Sequence, residues 1–383
     1  MTHFSSQSQL RQSLCAVILG GLTLLAGLAG CSGTPQLKPA ELAPNPARIG
    51  VQPAWTARVG DIRFPLDVRV VGTQIFVADS NGVVAAIDSS SGADVWRLDL
   101  GVKLAAGVGS DGRYAAVVSA DNQLIALEAG KEIWRQKLGA ATLTSPLVAG
   151  ARVFALSADR TLSAFDAASG RKLWQQQRSG DALVLAQSGV LMAVGNTLVT
   201  GLSGRLVGMA PLNGAVRWEV PLATSRGTND VERLVDLVSG VSRIDDNVCL
   251  RAFQSAVGCV DAGKGRLLWV KNASGATGLH GSATQLIGTE ADGKLIAWRR
   301  SDGERLWVSQ SLRYRRLTTP LLWSNALVVG DGFGYVHFVS PDDGTALSRM
   351  TTDGSAITVA PVLAGQNVVV VTQRGAIFAF KRE

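Results

Sequence analysis

The cysteines and histidines are the residues of this 383-residue chain that could carry out covalent or metal chemistry. A cysteine thiolate acts as a nucleophile or metal ligand, and a histidine as a general base or metal ligand. The chain has four cysteines, no two of them adjacent, and three histidines, too few and too far apart in sequence for a His-rich metal site. His337 lies in the apolar run "YVHFV", which favours a packed histidine. We therefore expect no catalytic residue, no metal site and no cofactor.

One glycine-rich stretch, "GVGSDG" at residues 107–112, matches the pattern of a dinucleotide-binding loop. Such a loop joins a strand to a helix whose N-terminus holds the phosphates. Here the stretch lies between two predicted strands, with no helix after it. We expect an ordinary turn.

The first thirty residues differ in kind from the rest of the chain. The apolar run Leu14 to Gly30 has the length of a signal peptide and is short and glycine-rich for a spanning helix. It ends in "LAGC", which resembles the lipobox of bacterial lipoproteins, where a cysteine thiol takes a diacylglyceryl group. The resemblance implies a signal peptide over residues 1–30, a lipid anchor on Cys31 and sorting by Ser32 to the outer membrane. The alternative is a spanning or core helix that happens to end in a cysteine.

Residues 31–54 are predicted to form a tether between this anchor and the folded body. The segment contains five prolines and few large apolar side chains, a composition typical of an extended, semi-rigid linker. The folded body is then predicted to span residues 55–383.

The chain carries a net charge of +7, with local clusters at Arg299–Arg300 and Arg313–Arg316. A basic balance can indicate nucleic-acid binding, but no nucleic-acid motif accompanies it and the export signal points to a compartment without nucleic acid. We expect a solvated basic surface and no nucleic-acid partner.

A short phrase, in which a Gly is followed by three residues and a Trp, recurs along the body. Its six tryptophans are Trp96, Trp134, Trp174, Trp218, Trp269 and Trp307. Each period of about 40 residues contains four short apolar runs separated by turn residues, which predicts four antiparallel strands. Four-stranded units that pack face to face form the blades of a propeller.

The number of blades follows from counting the predicted outer strands. The six phrases supply six, and "PDDGTALS" supplies a seventh in which Ser348 replaces the Trp. The last blade lacks an outer strand at the C-terminus, and the segment around Trp55 can supply it. We predict an all-β, eight-bladed propeller of four-stranded antiparallel blades, in which the N-terminal strand closes the last blade and covers an open sheet edge.

Cys249 and Cys259 fall in the second and third predicted strands of the fifth blade. If a three-residue loop centred on Gln254 joins these strands, the two cysteines face each other across the ladder. Export to an oxidising compartment permits a disulfide. Two buried free thiols are the alternative, and the sequence leaves both open.

The Gly-x3-Trp phrase resembles the tryptophan-docking motif of propellers that bind pyrroloquinoline quinone (PQQ). That resemblance raises the possibility of a PQQ-dependent quinoprotein dehydrogenase. Those enzymes have two cysteines adjacent in sequence and long insertions around the cofactor, and this chain has neither. The quinoprotein enzyme, and an exported propeller that binds another ligand, stay as the alternatives to a protein without enzymatic activity.

The lipobox, the tether and the eight-bladed propeller together resemble the BamB family of outer-membrane assembly lipoproteins. The most specific stretch is residues 315–344, where "LTTPLLWSNALVVGDGFGYVHF" is similar to a family blade. The resemblance implies a non-enzymatic scaffold of the β-barrel assembly (BAM) complex, anchored at the periplasmic face of the outer membrane. It implies docking on the POTRA domains of BamA, with other BAM components as partners. Whether unfolded barrel proteins bind directly is left open.

The resemblance also implies which residues contact BamA. The matching segments are "LVLAQ", with Leu183 and Leu185, and "ERLVDLV", with Arg233, Leu234 and Asp236. The chain departs from the family pattern where Ala186 replaces an Arg and Val238 replaces an Asp. Independently, the interval from Trp218 to Trp269 is the longest and places extra residues at 224–240, and long loops on a rigid ring often carry function.

Overall fold

The computed structural model describes residues 37–179, 183–224 and 234–383, and every regular element in these ranges is a β-strand. The strands form eight antiparallel sheets of four strands each, which confirms the predicted eight-bladed propeller. Residues 40–383 form one compact unit. No helix long and apolar enough to cross a membrane occurs in the described ranges.

Each blade takes its strands in chain order, from the inner strand to the outer strand, except the eighth. The strands of blades 1 to 4 are β2 (Arg69–Val71), β3 (Gln74–Ala78), β4 (Val83–Asp88) and β5 (Asp94–Asp99); β6 (Gly109–Ser110), β7 (Tyr114–Val118), β8 (Gln123–Glu128) and β9 (Lys131–Lys137); β10 (Leu147–Ala149), β11 (Arg152–Leu156), β12 (Thr161–Asp166) and β13 (Lys172–Gln177); β14 (Leu191–Val194), β15 (Thr197–Leu202), β16 (Arg205–Met209) and β17 (Val216–Pro221). The strands of blades 5 to 7 are β18 (Leu237–Ile244), β19 (Asn247–Ala252), β20 (Ala256–Asp261) and β21 (Arg266–Asn272); β22 (Leu279–Gly281), β23 (Gln285–Thr289), β24 (Leu295–Arg299) and β25 (Arg305–Ser309); β26 (Leu321–Trp323), β27 (Ala326–Gly330), β28 (Tyr335–Val339) and β29 (Ala346–Thr351). Blade 8 consists of β30 (Val362–Ala364), β31 (Asn367–Val371), β32 (Ala376–Arg382) and β1 (Val51–Arg58).

The N-terminal strand closes the ring, as predicted. β1 pairs antiparallel with β32 from Val51 opposite Arg382 to Arg58 opposite Ala376. The edge that β32 would otherwise expose is therefore covered by a strand from the other end of the chain.

The core lies between neighbouring blades. The second and third strands of a blade are buried on both faces, as in β3 and β4, where only the strand ends reach solvent. This explains why these strands read as continuous apolar runs rather than as an alternation. The outer strands are largely exposed and alternate in burial.

The docking tryptophans join every blade except the seventh to the next blade. The Trp134 indole packs on Gly170 of the following blade, where a Cβ would lie 2.6 Å from the ring. The φ of this glycine is +70°, so the turn and the close approach both require the absence of a side chain. Trp134 Nε1 also donates a 2.8 Å hydrogen bond to the Ala167 carbonyl of that turn. Equivalent indole-to-carbonyl bonds are made by Trp55, Trp174, Trp269 and Trp307.

Residues 40–50, predicted to be part of the tether, lie along the outer strand of blade 7. The Ala40 amide donates to the Arg313 carbonyl at 2.9 Å, and the Arg48 amide donates to the Leu347 carbonyl at 2.7 Å. Between them, Leu42 packs on the core shared by blades 6 and 7. From Ala40 onward this segment therefore contacts the propeller.

Candidate functional site

One end of the propeller carries the linkers between blades and the turns between second and third strands, and we call it the linker face. Both predicted contact segments lie there. Leu183 and Leu185 are in the linker between β13 and β14, and Leu234 and Asp236 are in the linker before β18. β18 begins at Leu237, because Leu237 and Val238 pair with β19, so the long loop predicted over 224–240 ends sooner than expected. Arg233, like the signal peptide and Cys31, lies outside the described residues.

The two linkers are joined directly. The Leu185 amide donates a 3.0 Å hydrogen bond to Asp236 Oδ2, and the Ser239 amide donates a 2.9 Å bond to the Ser188 carbonyl. Leu183 is 39% exposed, whereas Leu185, Leu234 and Asp236 are partly buried. We call Leu183, Leu185, Leu234 and Asp236 the docking patch; it offers apolar surface beside one carboxylate.

The two positions that depart from the family pattern have different environments. Ala186 is exposed beside the patch, where an Arg would have reached solvent. Val238 is only 2% exposed and is paired with Arg251 in β18 and β19. An aspartate at Val238 would be buried in this sheet, so the valine suits its surroundings.

Arg160 is a residue of this site that the sequence interpretation missed. It lies in the turn between β11 and β12, and its side chain is 8% exposed. Its Nη2 is 3.9 Å from Asp236 Oδ1 and 3.5 Å from the Leu183 carbonyl, and its Nε donates to Ser203 Oγ at 2.8 Å. The guanidinium of Arg160, a residue of blade 3, therefore lies next to the docking patch. Beside this patch, Ala186 replaces the arginine of the family pattern. The sequence does contain one signal for this residue. Arg160 stands at a turn position where the corresponding turns of other blades have Gly or Asn.

A small cavity of about 60 Å³ opens between blades 3 and 4 beside the docking patch. Its walls are largely aliphatic and include Leu143, Leu156, Leu185, Leu202, Leu237 and Val238. Asp236 and Arg160 also line it. The patch is therefore not flat; it borders an apolar recess.

The carboxyl group of Asp67 lies in the central channel of the ring. Ser188 Oγ and Ser239 Oγ donate to it, the latter at 3.1 Å, and Ser145 Oγ lies 3.5 Å away. Burial raises the pKa of Asp67 above its ordinary value, although the three hydroxyl groups oppose that shift. Asp67 lines two cavities, of about 380 Å³ and 230 Å³.

The two histidines of the body have structural partners. His337 Nε2 is 2.9 Å from Asp331 Oδ2, which also accepts a 2.7 Å hydrogen bond from Arg315 Nε. Burial lowers the pKa of His337, so the neutral ring is favoured. His280 Nδ1 accepts a 3.0 Å hydrogen bond from the Leu322 amide. Within residues 37–179, 183–224 and 234–383, no group of three or more His, Cys, Asp or Glu is placed to hold a metal ion.

Cys249 and Cys259 face each other in the register expected from a three-residue loop around Gln254. The structure joins them as a disulfide across β19 and β20, with both residues fully buried. Arg300 Nη1 donates to Cys249 Sγ at 3.3 Å. The bond is enclosed between blades 5 and 6, where it links two strands of one sheet.

Comparison with known sequences identifies related proteins along the whole body. The family model described as "Outer membrane protein assembly factor BamB" matches residues 80–309. The assembly factors BamB of Burkholderia pseudomallei and Bordetella pertussis are both 35% identical to this chain, over 92% and 94% of it and 94% and 95% of their own lengths. BamB of Yersinia pestis is 27% identical over 98% of this chain and 100% of its own length.

Comparison with solved structures supports the same fold. The crystal structure of BamB from Moraxella catarrhalis has a TM-score of 0.78 at 23% identity, covering 86% of this chain and 99% of that one. Quinohemoprotein alcohol dehydrogenase from Comamonas testosteroni has a TM-score of 0.67 at 14% identity, covering 88% and 77%. At these identities the similarity establishes the propeller fold alone.

Proposed function

Because the chain belongs to the BamB family of outer membrane protein assembly factors, we propose that it is a lipid-anchored scaffold that docks on the POTRA domains of BamA. Membership in this family makes it a non-enzymatic component of the β-barrel assembly machinery rather than a quinoprotein dehydrogenase. In this role it assists the folding and insertion of β-barrel proteins into the outer membrane.

The proposed anchor is the diacylglyceryl and palmitoyl group on Cys31, which holds the protein at the periplasmic face of the outer membrane. The lipobox sequence "LAGC" and the following Ser32 support this location. The oxidising periplasm is also the kind of compartment in which a disulfide between Cys249 and Cys259 persists.

The observation that carries the proposed docking site is the hydrogen bond from the Leu185 amide to Asp236 Oδ2. It brings together two linkers 51 residues apart in sequence, each of which resembles a contact segment of the family. Leu183 and Leu185 supply apolar area, and Asp236 supplies charge at its margin. Interfaces of this composition concentrate their binding energy in a few central residues.

The test is a double variant, Leu185→Ala with Asp236→Ala, in the otherwise complete lipoprotein. We expect its affinity for the POTRA domains of BamA to fall at least about tenfold, because truncation of a central apolar residue and its charged neighbour removes interface contacts. A matched control, Leu306→Ala with Asp302→Ala, changes an exposed leucine and an exposed aspartate of blade 6 and should bind normally.

Affinity can be measured by surface-immobilised POTRA domains and checked by pull-down of the assembly complex from native membranes in detergent. Equal POTRA affinity of the double variant and the control would contradict the proposed site. Absence of barrel-assembly components from the wild-type pull-down would contradict the proposed function.

A further inference from the structure

The cavity beside the docking patch is built as a recess for an apolar group. Three leucines from blades 3 and 4, Leu143, Leu156 and Leu202, form its walls, and Leu185 lies at its edge. The space is about 60 Å³, and its lining exposes more apolar than polar surface, although Thr144, Ser157, Ser188, Ser203, Arg160 and Asp236 also line it. That volume suits a branched aliphatic side chain better than a large aromatic one.

The cavity is continuous with the docking patch. Leu185 and Asp236, which the hydrogen bond joins, both line it. A protein that covers Leu183 and Leu185 would therefore also close the opening of the cavity. Filling it with a side chain would remove apolar surface from water at the centre of the contact, where binding energy is concentrated.

Arg160 occupies an unusual backbone position at this cavity. In six blades the second and third strands are joined by the same type of turn. The amide of its first residue donates a hydrogen bond to the carbonyl of its fifth residue, as Ser157 does to Thr161. The fourth residue of the turn has positive φ in every one of these six. Those residues are Gly82, Asn122, Arg160, Gly293, Gly334 and Gly375. Gly and Asn tolerate this conformation, whereas a long side chain such as arginine disfavours it.

The contacts of Arg160 show what its side chain contributes to the docking patch. Its guanidinium lies 3.9 Å from Asp236 and 3.5 Å from the Leu183 carbonyl, so it contacts both linkers of the docking patch. Its Nε bond to Ser203 Oγ fixes it to the turn of blade 4. Arg160 thereby holds the walls of the cavity and both halves of the patch in one arrangement.

We propose that the cavity between blades 3 and 4 receives an aliphatic side chain of the POTRA partner, and that Arg160 positions its walls. This inference rests on the proposed docking on BamA. Arg160 is a positioning residue and not a direct contact, because its side chain is only 8% exposed.

The first test blocks the cavity at its edge. Ala158 lies in the turn that contains Arg160 and lines the cavity, so the ring of Ala158→Phe, which is too large for the recess, should obstruct its opening. The matched control is Ala120→Phe, at the same position of the equivalent turn in blade 2, where Asn122 takes the place of Arg160. We expect Ala158→Phe to weaken POTRA binding by the full-length protein at least tenfold and Ala120→Phe to leave it within twofold.

The second test separates positioning from stability. Arg160→Asn installs the residue that blade 2 uses at this turn, which suits positive φ. We expect at least fivefold weaker POTRA binding by a variant that still folds, as judged by circular dichroism. A purely structural role predicts unchanged binding, and that result would overturn the assignment of Arg160.

The outcomes distinguish this inference from the function on which it rests. Failure of the wild-type protein to bind POTRA domains would refute the proposed function. Normal wild-type binding with equally normal binding by Ala158→Phe would refute the cavity alone. Should Ala158→Phe fail to fold, as judged by circular dichroism, Arg160→Asn still decides the question.

Discussion

Asp67 shows how one side chain can shape the interior of a ring. It lies at the start of blade 1, yet its carboxyl group is held by serines that precede or begin the inner strands of blades 3, 4 and 5. Asp67 thereby lines both cavities of the channel. Three hydroxyl donors stabilise the carboxylate, but burial outweighs them and raises its pKa.

The raised pKa of Asp67 makes stability depend on pH in a definite direction. Between the unfolded pKa, about 3.8, and the higher folded pKa, the native state holds more protons than the unfolded state. The free energy of unfolding contributed by this group is therefore greatest at low pH and falls as pH rises through that window. Asp67→Asn should remove this pH dependence. The free energy of unfolding of the variant, relative to that of wild type, should therefore increase with pH.

Urea unfolding at several pH values above about 4 measures the effect. Asp88→Asn is the control, because hydrogen bonds from Ser90 and Ser91 lower the pKa of Asp88 to about 2, outside the window. Parallel pH profiles for wild type and Asp67→Asn would contradict the argument, whereas the Asp88→Asn profile should parallel that of wild type.

In every blade a large side chain on either the outer strand or the third strand lies opposite a small side chain on the other. Each docking tryptophan lies opposite a small residue of the adjacent strand: Ala379, Ala86, Ala126, Ala164, Gly208, Cys259 and Ala297 for Trp55, Trp96, Trp134, Trp174, Trp218, Trp269 and Trp307. Blade 7 reverses the pattern, with Ser348 opposite Phe338. The tryptophan missing from the sequence is thus replaced by a phenylalanine on the neighbouring strand.

Blade 7 also has a reason for lacking the tryptophan. The next blade takes its third strand, β32, from the C-terminus and its outer strand, β1, from the N-terminus. No turn connects those two strands, so the glycine on which an indole docks elsewhere does not exist at this joint. A tryptophan at Ser348 would lack its usual partner.

We expect Trp134→Ala to destabilise the propeller by about 3–5 kcal/mol, the usual range for removing a buried Trp side chain. The residue is 9% exposed and loses both its packing on Gly170 and its bond to the Ala167 carbonyl. Ile133→Ala, in the same strand but 36% exposed, is the control and should cost under about 1 kcal/mol. Equal unfolding free energies for the two variants in denaturant titrations would refute the role of the indole.

The whole ring is closed by the N-terminal segment in two ways. β1 completes blade 8, and residues 40–50 lie on the outer strand of blade 7, where Asn45 Nδ2 donates to the Arg349 carbonyl and Arg349 Nη2 donates to the Ala43 carbonyl. Arg315 Nη1 also donates to the Ala40 carbonyl at 3.0 Å. The joint without a docking tryptophan is therefore covered by the chain that leads to the proposed anchor.

Truncation tests whether this cover stabilises the ring. A chain that begins at Ala40 should melt like the mature protein, whereas one that begins at Ile49 should be less stable by on the order of 2–4 kcal/mol. The loss combines several hydrogen bonds, worth about 1 kcal/mol each, with the burial of Leu42. Both chains retain β1, so calorimetry reports the effect of residues 40–48 alone; identical melting would show that their contacts contribute nothing.

The sequence by itself determined the repeating architecture. Blade number, strand order, closure by the segment around Trp55 and the alignment of Cys249 with Cys259 were all predictable, because each depends on short-range spacing that recurs every 40 residues or so. The contact segments around Leu185 and Asp236 were found through family resemblance, and the structure joins them by a hydrogen bond.

Only the tertiary structure decided which isolated residues meet. Arg160 reaches Asp236 across 76 residues of chain, Asp67 reaches Ser239 across 172, and Arg315 reaches Ala40 across 275. None of these pairs follows the period of the repeat, so no local pattern announces them. Ring closure brings distant linkers to one face and one axis, and the contacts that form there depend on side-chain reach and burial, which spacing along the chain does not encode.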